Sequence, residues 1–185
     1  TTLMLADSAD CNLIEIGYGY SVTLTTIRNL HLYGNMEANS AGSGIVLNTT
    51  YWSAKCNLED LFIERFQEHG IWTKAGVIVG NMLKVFDCNK TGMYLSTADN
   101  IVSNFVVATT GHEGVYLGAN GQISQFHVWS CGRYGPTNTE LCGVYALGRN
   151  MISCGQIENT AKFGLWVTNW GTTVTGLNFF NIGDQ

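Results

Sequence analysis

A tetrapeptide that opens with glycine recurs along this chain. Its copies are Gly44-Ile45-Val46-Leu47, Gly70-Ile71-Trp72-Thr73, Gly92-Met93-Tyr94-Leu95, Gly114-Val115-Tyr116-Leu117, Gly143-Val144-Tyr145-Ala146 and Gly164-Leu165-Trp166-Val167. Each reads glycine, apolar, large, then small or apolar. The glycines stand 26, 22, 22, 29 and 21 residues apart. Self-similarity at a fixed period marks a repeat architecture.

A second segment precedes each later glycine. Its apolar residues alternate as Leu61/Ile63, Leu83/Val85, Phe105/Val107, Phe126/Val128 and Gly155/Ile157, with Leu30/Leu32 before and Leu177/Phe179 after. Three residues upstream runs another apolar column: Ile27, Leu58, Gly80, Val102, Ile123, Ile152 and Val174. A third set, Phe66, Cys88, Thr110, Cys131 and Thr160, lies three residues past that segment and reads as inward and structural.

The period selects the architecture. About 22 residues are too few for paired helices, which need roughly 33 or more. Alternation at every second residue is a strand signal. A strand–helix–strand crossover needs about 30 residues and a helical segment, which the sequence lacks. Three short strands with turns fit, each coil stacking in register on the last. The expected fold is all-β, a right-handed parallel β-helix of about seven coils over residues 1–185. A leucine-rich repeat is the alternative, and Leu58-x-x-Leu61-x-Ile63 is its closest copy. The longer steps place loop insertions at about 48–55, with Tyr51 and Trp52, and at about 132–141. Such loops leave a solenoid core and serve binding or are neutral decoration.

Composition narrows the function. The chain has 22 Gly and one Pro, and a formal net charge of −5, which disfavours nucleic acid because phosphate binding draws on clustered Lys and Arg. No apolar run has the length of a membrane span, so no membrane insertion is expected. None of the six Cys forms a Cys-x-x-Cys pair, and buried free thiols are expected, with Cys131 and Cys142 the pair to check for a bridge. No metal or cofactor is expected. The start at Thr1-Thr2 without Met reads as a fragment or processed product, with caps or neighbouring domains expected at both ends.

Two stretches carry a family resemblance. Thr1 to Ile14 looks like an entry coil. Val22-Thr23-Leu24-Thr25-Thr26-Ile27-Arg28-Asn29-Leu30-His31-Leu32-Tyr33-Gly34-Asn35 is similar to a coil common in phage tailspikes and polysaccharide-degrading enzymes, with Tyr33 where that coil often has Asp. Over nearly its whole length the chain resembles the pectin-lyase-like right-handed parallel β-helix proteins. The hydrolase signatures Asp-Asp and Arg-x-Lys of polygalacturonase-type members are absent, and Gly111-His112-Glu113 is the nearest approach to Gly-His-Gly. The tailspike resemblance implies a trimeric virion protein that binds, and in some members cleaves, host cell-surface polysaccharide. A secreted polysaccharide lyase or glycosidase of the same fold, and a structural spacer in a fibre, are the alternatives.

Three constellations are candidates for function. The first is the third position of the tetrapeptides: Trp72, Tyr94, Tyr116, Tyr145 and Trp166, after Val46. Its neighbours point inward, so this column points outward, and six coils make a stripe of roughly 24 Å. It serves glycan stacking, a subunit contact, or stacking of the rings on one another. The second is a carboxylate group, Glu59, Asp60, Glu64, Glu68 and Asp87, in which Glu64 and Asp87 on adjacent coils are the candidate catalytic pair. Two carboxylates about 5–9 Å apart are what glycoside hydrolysis requires. Ordinary solvated charge beside Arg28, Arg65 or Lys84 is the plain alternative. The third is His127 and Trp129, outward on either side of Val128, as a sugar contact or proton-transfer site.

Overall fold

The structure, a computed structural model, describes residues 1–17, 24–49, 55–134 and 141–183. Tyr51, Trp52 and residues 135–140, most of the two expected insertions, lie outside the described residues.

Two parallel sheets form the molecule. The larger contains β1 (Thr2–Met4), β3 (Leu24–Tyr33), β5 (Lys55–Glu64), β7 (Val77–Phe86), β9 (Ile101–Ala108), β11 (Gln122–Trp129), β13 (Met151–Glu158) and β15 (Thr173–Phe180), stacked in that order. The smaller contains β2 (Ile14–Ile16), β4 (Ile45–Asn48), β6 (Ile71–Ala75), β8 (Met93–Leu95), β10 (Val115–Leu117), β12 (Cys142–Leu147) and β14 (Phe163–Thr168), also in sequence order. Each strand pairs with the strand two places on, so the chain winds once round the axis between partners. The fold is a right-handed parallel β-helix.

The three expected strands per coil appear as two elements, because the long strand contains both upstream segments. It folds at one residue in the left-handed region: Asn29, Asp60, Met82, Asn104, Gln125 and Cys154, with φ between 49° and 56°, and Gly176 at 61°. That residue drops out of the pairing, as Asn104 does between Ser103 and Phe105. A second left-handed column, Arg65, Asp87, Thr109, Ser130, Asn159 and Asn181, ends the long strands and turns the chain toward the other sheet. Asn is the most frequent residue across the two columns because its short amide tolerates this conformation.

The apolar columns meet inside. Leu61, Ile63, Leu83, Val85, Val107 and Val128 are at most 1% exposed. The third column is also interior, with Phe66, Thr110, Cys131 and Thr160 fully buried. Gly155, a weak member of its column, has a packing cause. It stands where Phe126, stacked on Phe105 at 5.2 Å and 9°, fills the space a side chain would need. The tetrapeptide glycines have the same cause. A Cβ on Gly44 would meet Ile63 at 2.8 Å, and one on Gly143 would meet Ile157 at 2.5 Å, in each case a branched core residue of the next coil.

Buried polar groups are tied to backbone between coils. Asn100 accepts from the Ile78 N–H at 2.9 Å and donates to the Thr97 carbonyl at 2.7 Å. Asn150 accepts from the Gly121 N–H at 2.7 Å. All six cysteines are free, Cys131 and Cys142 included. Four are buried, but Cys11 and Cys154 are exposed, contrary to the expectation of uniformly buried thiols. Cys154 is the left-handed fold residue of β13, which turns its side chain out of the core.

Candidate functional site

The tetrapeptide column lies on the outer face of the smaller sheet. Trp72, Tyr94, Tyr116, Tyr145 and Trp166 are register partners in succession, and all five are half-buried. Val46, their predecessor, is fully buried.

The rings stack on one another. Tyr94 and Tyr116 have centroids 4.5 Å apart and Tyr116 and Tyr145 4.9 Å, with interplanar angles of 34° and 25°. Parallel strands repeat about every 4.8 Å, so one tyrosine per coil stacks without distortion. The faces of Tyr116 are therefore covered on both sides, and its edge and hydroxyl are what it offers outward. Burial, then the neighbouring Tyr94, Tyr145 and Glu113, push the Tyr116 hydroxyl up to about 12, so it is a neutral donor at ordinary pH. The ends of the ladder differ. Trp72 meets Tyr94 edge to face at 6.2 Å and carries the Lys74 ammonium over its ring at 4.1 Å. Trp166 packs edge to face with Phe163 at 4.5 Å.

A polar wall borders the ladder. The residue ahead of each tetrapeptide glycine forms its own column, which includes His69, Thr91 and Glu113. With His112, Lys90 and the tyrosines they line a groove of about 450 Å³. Thr91 Oγ1 donates to Glu113 Oε2 at 3.2 Å, and Glu113 is only 4% exposed. His69 packs against Tyr94 at 5.0 Å and 28°, and against Trp72 at 5.1 Å. Burial, reinforced by the Lys90 charge, pushes its imidazole down to about 4, so it is neutral at pH 7. Its buried Nδ1 has no hydrogen-bond partner among the described residues. Lys90 Nζ lies 2.6 Å from Glu68 Oε1. Partial burial opposes ionisation of Glu68, but the hydrogen bond and charge of Lys90 outweigh it and hold the carboxyl below its ordinary range.

The other candidates sit elsewhere. His127 and Trp129 are on β11, on the outer face of the larger sheet, as is Glu64 at the end of β5. Glu64 Oε1 contacts His31 Nε2 at 2.8 Å. Asp87 is a left-handed turn residue after β7 and borders a separate groove of about 250 Å³ with Arg65 and Tyr134. The ladder is legible from the repeat. The polar wall is not, because its residues share a column without sharing a chemical type. The His31 partner of Glu64 is legible only by counting register from one coil to the next.

No family model and no curated protein matches this chain. Solved structures do. The full-length tailspike protein 2 of an Escherichia coli O157:H7 bacteriophage aligns at 17% identity and a TM-score of 0.63, over 96% of this chain and 31% of that one. The enzymatically active domain of bacteriophage CBA120 tailspike protein 2 aligns at 16% and 0.58, over 96% and 37%. The chain shares the parallel β-helix fold of these structures. The A-module of an Azotobacter vinelandii mannuronan C-5 epimerase shares this β-helix at 12% identity and a TM-score of 0.52, over 98% of this chain and 77% of that module. The chain spans about a third of the tailspike chains it matches.

Proposed function

We propose that this β-helix binds polysaccharide along the tyrosine ladder. The observation that carries the proposal is the groove beside Tyr94, Tyr116 and Tyr145, walled by Lys90, Thr91, His112 and Glu113. It gives a row of phenol edges and hydroxyls repeating about every 4.8 Å, with charged and neutral hydrogen-bonding groups beside it. Tyrosine supplies apolar area with a polar tip, which suits a sugar ring with its hydroxyl rim. Trp72 and Trp166 extend the row at its two ends.

Likeness to two tailspike structures supports a place in a phage or viral appendage that meets host cell-surface polysaccharide, assembled as a homotrimer. Printed arrays of bacterial surface polysaccharides test the binding. Binding by the parent, lost at least tenfold in the Tyr94→Phe/Tyr116→Phe double variant, is the expected outcome. Equal binding by parent and variant overturns it. Light scattering that shows a stable monomer counts against the trimer.

A second reading, cleavage of a polysaccharide lying on the larger sheet and not along the ladder, is favoured by the His31–Glu64 contact, which holds one carboxylate of the proposed Glu64 and Asp87 pair. Release of reducing ends or unsaturated products, abolished by Glu64→Gln or Asp87→Asn, supports it. Absence of any product from a polysaccharide that binds excludes it.

A further inference from the structure

The ladder occupies one face of the solenoid. The larger sheet has a different groove, along the line where its long strands fold. From β9 to β15 it runs as a shallow, open groove of about 550 Å³. Beneath it, in the core, lies the stacked pair Phe105 and Phe126, 2% and 5% exposed. Small residues line it at the fold line, Cys154 and Gly176, with Gly155 beside them. Amides line it on both sides: Asn104 and Gln125 at the fold line, Gln156 and Asn178 in the neighbouring outward column.

His127 stands in that same outward column. Its Nε2 lies 3.0 Å from Glu158 Oε1, while Gln156 Nε2 donates to Glu158 Oε2 at 3.1 Å. Both carboxylate oxygens of Glu158 are thereby engaged, which fixes the imidazole. With Nε2–H given to the carboxylate, Nδ1 of a neutral His127 is an acceptor. The Trp129 ring lies 6.4 Å from His127 on the same face.

We infer that this fold-line groove is a second saccharide-binding site, distinct from the ladder, and that it takes a neutral glycan segment. Three observations select that ligand class. No Lys or Arg among the described residues lines the groove, and Glu158 stands at its edge, so an anionic ligand meets no countercharge. β9, β11 and β13 are each hydrogen-bonded on both sides, so no edge is open for an extended peptide to join. What the groove presents is a run of amides, each both donor and acceptor, one coil apart, which matches hydroxyl pairs on sugar rings.

The test uses the intact chain and side-chain-resolved NMR. A panel of neutral methyl glycosides (glucose, galactose, mannose, fucose, N-acetylglucosamine) is titrated in turn, with methyl glucuronide as the charged counter-probe. The expected result is that at least one neutral glycoside shifts the side-chain amide signals of Gln125, Gln156 and Asn178 and the Trp129 indole signal. The Gln156→Ala/Asn178→Ala double variant is expected to weaken that response at least tenfold while leaving Tyr94 and Tyr116 signals as in the parent. Asn178 is exposed and Gln156 half-buried, and a matched backbone spectrum establishes that the variant is folded. Shifts confined to the tyrosines overturn this inference and leave the ladder proposal standing. Shifts driven by the glucuronide alone overturn the neutral assignment. A panel that moves no signal in the groove overturns the inference, whatever binds the ladder.

Discussion

Gly114 and Val128 compete for one volume: a Cβ on Gly114 would lie 2.5 Å from Val128 Cγ1, a branched methyl of the next coil. The Cys131 sulfur would lie 2.9 Å from the same point. Gly114 is not one of the left-handed glycines, so it is kept for room and not for backbone freedom. Gly114→Ala is therefore expected to destabilise the fold by about 1–3 kcal/mol through overpacking. Adding Val128→Ala is expected to recover part of that loss, although Val128→Ala alone is destabilising. Urea midpoints for the four proteins of this cycle measure it. Simple additivity would show that the two side chains do not share space.

Met82 is the aliphatic exception in a fold-line column otherwise made of Asn, Asp, Gln, Cys and Gly, at φ 53° and 47% exposed. An unbranched apolar residue there carries backbone strain without burial to offset it. Met82→Asn is expected to raise stability by about 1 kcal/mol. A lower melting temperature would contradict the strain account.

His69 links stability to pH. Its folded value of about 4 lies below the ordinary 6.5, so between those values the unfolded chain binds a proton that the folded chain does not. Stability contributed by this residue is complete above about pH 6.5 and is lost as pH falls toward 4. The full loss is roughly 3 kcal/mol, from about 1.36 kcal/mol per pH unit. Denaturant midpoints at about pH 7 and pH 4.5 measure it, and His69→Gln is expected to flatten the difference. An unchanged slope in that variant assigns the effect to other groups.

Thiol chemistry reads burial directly. Cys56 and Cys88 are pushed up to about 12 and Cys131 to about 11 by burial, while Cys11 and Cys154 are exposed. A thiol reagent is expected to modify only Cys11 and Cys154 in the native protein, and Cys56, Cys88, Cys131 and Cys142 as well once it is unfolded. Rapid native labelling of Cys131 would contradict the packing of its column.

The repeat makes the fold legible because each core column asks for one property. Apolar volume recurs at Leu61, Leu83, Phe105 and Phe126, and the strand period then follows from alternation. The two-sheet form, with one sheet folded, is not legible. It depends on residues as unlike as Asp60, Met82 and Cys154 adopting the same left-handed backbone, which their side chains do not announce. At the candidate sites the outward direction of the ladder is readable, and its mutual ring stacking is one of three outcomes the pattern leaves open. His69, Thr91 and Glu113 converge only through register, so chemistry assembled across coils stays hidden in a linear reading.

Register between neighbouring coils is one-to-one along the smaller sheet, apart from a shift at Leu47/Asn48. Evolution can therefore lengthen or shorten this rod in whole turns, each altering its reach by about 4.8 Å. Excising the 22 residues from Gly70 to Thr91 brings Gly92 into the place of Gly70 and rejoins like with like. A cut at that point that does not remove whole coils leaves the downstream coils out of phase with those before it.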